Sequence, residues 1–203
     1  NYKRKIDMQE IELFIKDESE DGVFAVSLVE NPAIEENFIA LSKDEISLKV
    51  IDEERRIVVG YALLPEKRIY RKMKPKGSKE AVEFNIYFSK DTIVKTQELY
   101  MKNLHLNNVT SEHEKPVQGA SVIESWITED EKQDKINLYD IKPQLGGWAI
   151  MMKIYNDEEW SKVKGGDYKG FSIEGIYQGF EALEMAKEEN ILEQIKSIID
   201  ERK

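Results

Sequence analysis

Tyr168-Lys169-Gly170-Phe171-Ser172-Ile173-Glu174-Gly175-Ile176-Tyr177-Gln178 is a run of β-forming residues punctuated by glycines, with one hydroxyl at its centre. In an extended chain alternate side chains point to opposite faces, which puts Ser172 and Glu174 on one face and Phe171 and Ile173 on the other. A polar pair backed by an apolar pair suits the wall of a cleft, and equally an ordinary strand with one wet face. Gly165-Gly166-Asp167 turns the chain into this strand.

The same strand chemistry recurs along the chain. Gly146 to Tyr155 is nearly all apolar, and Ala120 to Thr128 precedes the acidic, exposed Glu129 to Asp134. Val82 to Phe88 alternates cleanly. The period then changes: Ser89 is a plausible N-cap, followed by a helix of ~15 residues ending near Asn107-Asn108. Arg56 to Leu64 is apolar enough to be covered on both faces and sits at the centre of the expected sheet. Ile46 to Ile51 alternates, a further strand lies near Asn37 to Leu41, and Glu10 to Lys16 with Gly22 to Val29 reads as a hairpin. Asn31-Pro32 breaks that pattern. Glu66 to Arg71 continues as strand after Pro65, and Met73 to Lys79 reads as a basic, solvated loop. Asp157 starts a short helix through Val163, and Glu181 to Lys203 reads as a long charged helix with a partial apolar stripe. Roughly eight to ten strands with few helices predict a mainly β, α+β fold, since a closed or nearly closed antiparallel-rich barrel hides the edges of so many strands. The expected division is a barrel domain over 1–180 and a C-terminal helix over 181–203.

The chain has 203 residues, enough for one main core. Charged residues make up 34% and hydrophobic ones 40%, the balance of a folded domain with a heavily solvated surface. A formal charge of −10 opposes nucleic-acid binding, whose affinity comes largely from Lys and Arg neutralising phosphates. With no cysteine, disulfides, thiolate catalysis and Cys-ligated zinc are excluded. No run approaches the ~18 apolar residues of a membrane span and no apolar signal core opens the sequence, so neither membrane anchoring nor secretion is expected.

Two histidines and no HExxH motif make a zinc site an unfit expectation, and neither a Walker A loop nor a dinucleotide fingerprint is present. No cofactor is therefore expected. A serine hydrolase needs less: a hydroxyl, an imidazole base, a group that orients it and oxyanion donors. His105 lies at helical spacing and reads as a partly buried structural residue. His113 lies in the polar stretch Glu112-His113-Glu114-Lys115-Pro116 between helix and strand, and reads as a base or an ordinary exposed histidine. Ser172 is outside any GxSxG elbow and reads as a nucleophile or as strand filler.

Taken together, the two stretches resemble the prohead (capsid maturation) proteases of tailed phages. In that family a histidine precedes a turn comparable to Pro116-Val117-Gln118-Gly119, and the nucleophile lies in a strand comparable to Lys169-Gly170-Phe171-Ser172-Ile173-Glu174-Gly175. Ser27 to Ile34 (SLVENPAI) and Gly60 to Lys72 (GYALLPEKRIYRK) further resemble the XkdF-like phage serine proteases. The resemblance implies a fold similar to the herpesvirus assemblins, a β-barrel ringed by helices. It implies a serine endopeptidase that cuts scaffold and major capsid proteins, and itself, within the procapsid in the host cytoplasm, with a homodimer by analogy. Ser172 matches the nucleophile and His113 the base. Glu174, which stands where the commoner motif has glycine, is the candidate third member on strand geometry, with Asp91, Glu98 and Asp140 as rivals. The terminal helix would dock on the barrel or lead to a scaffold-like segment. Two other readings remain at this point: a non-catalytic capsid-assembly module on the same fold, and a small-molecule hydrolase on another.

Overall fold

The computed structural model describes residues 8–30, 48–73 and 81–182. Strands β1 (Gln9–Leu13), β2 (Gly22–Val29), β3 (Lys49–Asp52), β4 (Ile57–Leu63), β5 (Ile69–Met73) and β6 (Val82–Phe88) precede helix α1 (Lys90–Lys102). They are followed by β7 (Val109–Ser111), β8 (Lys115–Pro116), β9 (Ala120–Ile127), β10 (Trp148–Ile154), helix α2 (Asp157–Gly165) and β11 (Gly170–Ile176). The capping residues explain the helix starts. Ser89 accepts from the Thr92 N–H at the head of α1, and Asn156 from the Glu159 N–H at the head of α2.

The expected closed or nearly closed barrel is not formed. The described strands make three open sheets, ordered β1-β6-β5, β3-β4-β10-β9 and β11-β2-β7-β8. Two of the pairings, β1 with β6 and β2 with β7, are parallel, so the expected β1–β2 hairpin is absent too. Alternation told which face of each strand is apolar and nothing about its partner. Short backbone links join the described sheets. Phe14 and Gln178 exchange backbone hydrogen bonds of 3.1 and 2.9 Å, and the Leu48 N–H donates to the Lys169 carbonyl at 2.7 Å. The expected strand near Asn37 to Leu41 lies outside the described residues, as does the expected C-terminal helix beyond Ala182.

One large cluster forms the core between the sheets. It joins Val26 and Leu28 of β2, Phe84 and Ile86 of β6, Trp148 and Ile150 of β10, and Phe171 of β11. β4 is buried along its whole length and lies inside its sheet, as its apolar run predicts. Trp148 is fully buried, stacks edge-on against Tyr100 of α1, and donates from Nε1 to Ser125 Oγ at 2.9 Å.

Asp21 ties the β1–β2 connection to the far end of β11. Its Oδ2 accepts from the N–H groups of Lys16 (2.8 Å) and Asp17 (2.9 Å), and its Oδ1 accepts from Gln178 Nε2 at 2.8 Å. Burial works to raise its pKa, and the hydrogen bonds from Asp17, Gln178 and Lys16 outweigh it, leaving the carboxyl below its ordinary value. A depressed folded pKa stabilises above the unfolded value and stops doing so as pH falls through the folded one. Asp21→Asn should cost about 1–3 kcal/mol at neutral pH. Urea titrations below pH 4 should show the gap between variant and wild type closing.

Candidate functional site

His113 is presented by a turn of unusual composition. Ser111 pairs with Lys115, the Ser111 carbonyl accepts from the Glu114 N–H at 3.0 Å, and the central residues Glu112 and His113 have φ of 51° and 58°. Two positive φ values define a type I′ turn, the geometry that matches strand twist and favours Asn-Gly. Glutamate and histidine there store strain of order 1 kcal/mol or more each. The surrounding strands hold it in place. Glu112 N–H donates to the Leu28 carbonyl at 3.0 Å, His113 N–H to Ser27 Oγ at 3.0 Å, and Glu112 Oε1 accepts from the Glu30 N–H at 2.7 Å.

β2 is the platform under the site. In register, Ser172 of β11 lies opposite Ser27 of β2, which lies opposite Thr110 of β7, a row of three hydroxyl residues across three strands. Ser27 is fully buried. Glu174 lies opposite Ala25, whose small side chain leaves room for the longer carboxylate to reach across β2. There it accepts a hydrogen bond from Thr110 Oγ1, and its Oε1 lies 3.3 Å from His113 Nδ1.

Below Glu174 the register shifts, so that Gly175 pairs with Val23 and Phe24 is left over as a bulge. A Cβ at Gly175 would sit 2.7 Å from the Gly22 carbonyl oxygen, which explains the glycine. The bulged Phe24 is exposed, at the rim of a cavity of about 390 Å³. Phe171, Ser172, Ile173 and Glu174 all border that cavity, as does His113. Consecutive residues alternate faces, so a cavity that touches all four runs along the edge of β11 that pairs with no other described strand, between β11 and β4.

The structure thus brings His113 and Glu174 together, and Ser172 borders the same cavity. It separates the rivals. Asp91 and Glu98 are on α1, and Asp140 follows the short 3₁₀ turn Lys135–Tyr139, where its carbonyl accepts from Lys49 Nζ. None of the three borders the cavity. His105 lies in a 3₁₀ turn, its Nδ1 3.1 Å from Asn108 Nδ2 and its ring 6.2 Å from that of Tyr100, a structural placement. Among the described residues no group of three or more histidine and carboxylate side chains is arranged to hold a metal.

One family model, described as "Putative phage serine protease XkdF", matches residues 43–181, well over half of the chain and inclusive of His113, Ser172 and Glu174. The chain belongs to that family. No curated protein and no solved structure matches it.

Within this phage serine protease, Ser27 and Thr110 are the site neighbours that sequence reasoning missed. The signal for Ser27 was present: it is the lone hydroxyl in the otherwise apolar strand Gly22–Val29. Ser27→Ala leaves the His113 N–H without its acceptor, at a cost of roughly 1–2 kcal/mol. Peptide turnover should fall about ten-fold, mostly in kcat, because the strained turn no longer fixes the ring. Ser27→Thr, which keeps the hydroxyl, should recover more of the rate than Ser27→Ala in the same assay.

Proposed function

We propose that this protein is a serine endopeptidase of phage capsid maturation, with Ser172 as nucleophile, His113 as general base and Glu174 as the acid that orients it. The observation that carries this reading is the 3.3 Å approach of His113 Nδ1 to the Glu174 carboxylate beside a cavity that Ser172 also borders. A carboxylate on Nδ1 fixes the tautomer in which that nitrogen carries the proton and leaves Nε2 free to accept one.

In the mechanism, Ser172 Oγ attacks a peptide carbonyl while His113 Nε2 takes its proton. The tetrahedral intermediate collapses, His113 returns the proton to the departing amine, and an ester to Ser172 remains. Water, deprotonated by the same imidazole, attacks that ester; the second tetrahedral intermediate collapses, the acid is released, and the imidazolium returns its proton to the departing Ser172 Oγ. Glu174 stabilises the imidazolium formed at each attack. The substrates on this reading are the phage scaffold and major capsid proteins, met inside the procapsid in the host cytoplasm.

Co-expression with the capsid and scaffold proteins of the same phage tests the reading. Wild type should shorten them, and Ser172→Ala should leave them at full length. Unchanged processing by Ser172→Ala would refute it.

A further inference from the structure

We propose that the cavity beside Ser172 is a subsite for one large apolar side chain of the peptide substrate, such as leucine, methionine or phenylalanine, placed within roughly two residues of the bond that is cut. The subsite rests on the assignment of Ser172 as nucleophile. Its volume of about 390 Å³ falls within the roughly 300–1,000 Å³ of ligand clefts, and it admits a side chain with room to spare.

Its walls are mostly apolar. Leu63, Ile69, Phe171 and Ile173 all line it, and two aromatic residues, Phe24 and Phe180, are exposed at its border. Phe180 is steadied by an edge contact with Phe84, and Phe24 is pushed outward by the bulge opposite Glu174 and Gly175. Covering exposed aromatic surface is favourable in proportion to the area removed from water.

The cavity follows the edge of β11, so a peptide whose carbonyl reaches Ser172 lies along that edge and turns alternate side chains into it. A charged side chain there would lose hydration against these walls. Lys67 and Arg71 also border the cavity, each with interactions of its own. They make an acidic side chain the rival occupant, and the experiment must separate the two.

The full chain is incubated with a mixture of defined peptides, the cleavage sites are read by mass spectrometry, and the protein is treated in parallel with a fluorophosphonate that labels active serines. The expected result is labelling at Ser172 and cleavage sites enriched in large apolar residues at one fixed position. Replacing that residue by alanine in a single peptide should lower kcat/KM by about 100-fold. In Phe24→Ala and Phe180→Ala the ratio should shrink to about ten-fold or less. Labelling and cleavage without apolar enrichment, with acidic residues enriched instead, or with a ratio unmoved in both variants would overturn the subsite and leave the protease reading intact. Neither labelling nor cleavage would overturn the protease reading and the subsite with it.

Discussion

Ser172→Ala and His113→Gly should each lower kcat/KM on a peptide substrate by about 10⁴-fold or more, and the double variant should be no slower than the worse single one. Nucleophile and base act as a unit: without the hydroxyl the imidazole has no proton to take, and without the imidazole the hydroxyl is a poor nucleophile. Glycine is the informative replacement at position 113 because φ there is 58°, a conformation that glycine adopts freely and histidine does not. The variant loses the contact with Glu174 and relieves the turn, so its stability should stay within about 1 kcal/mol of wild type. Activity gone with stability kept is the signature of a residue held in strain for chemistry. A histidine serving only to staple the β7–β8 turn would give the opposite pattern, a clear loss in urea denaturation with turnover unaffected. Additive losses in the double variant would likewise separate the two residues and sink the dyad.

Much of the local structure was legible because its signals are local. Ser89 announced α1, the apolar run through Ile57–Leu63 announced a strand covered on both faces, and the alternation in Phe171 to Glu174 told which side chains would share a face. What sequence could not supply was pairing. Alternation is silent about whether Gly22–Val29 meets Gln9–Leu13 in a hairpin or, as found, lies between β11 and β7, one pairing antiparallel and one parallel. The barrel expectation failed for the same reason, since a count of strands does not say which of them pair, and the described strands pair into three open sheets. The candidate site was legible only in its residue types. Ser172 and His113 stood out by residue type, but their supports are visible only in register: Ser27 lies opposite one and bonds to the other, and Ala25 clears the way for Glu174. The positive φ of Glu112 and His113 had no sequence signal, because Glu-His is not a pair that favours a type I′ turn.

Glu174→Gln should lower kcat by about 10³- to 10⁴-fold with KM changed little, the loss expected when a base keeps its place but not its orienting charge. The substitution preserves length and the reach across Ala25, so Thr110 retains an acceptor and the strand keeps its register. What it removes is the negative charge 3.3 Å from His113 Nδ1, needed when that ring becomes an imidazolium during attack by Ser172. The amide also offers an N–H where the histidine offers its own, so one ring orientation loses its partner. The rate of fluorophosphonate labelling at Ser172 should fall in parallel, because that reaction needs the activated hydroxyl but not the peptide-binding cavity. A loss confined to KM, with labelling unchanged, would instead make Glu174 a substrate contact. A change of less than about two-fold in both, as for an ordinary exposed carboxylate, would make it surface charge, and the acid of the site would then have to be sought outside the residues that border the cavity.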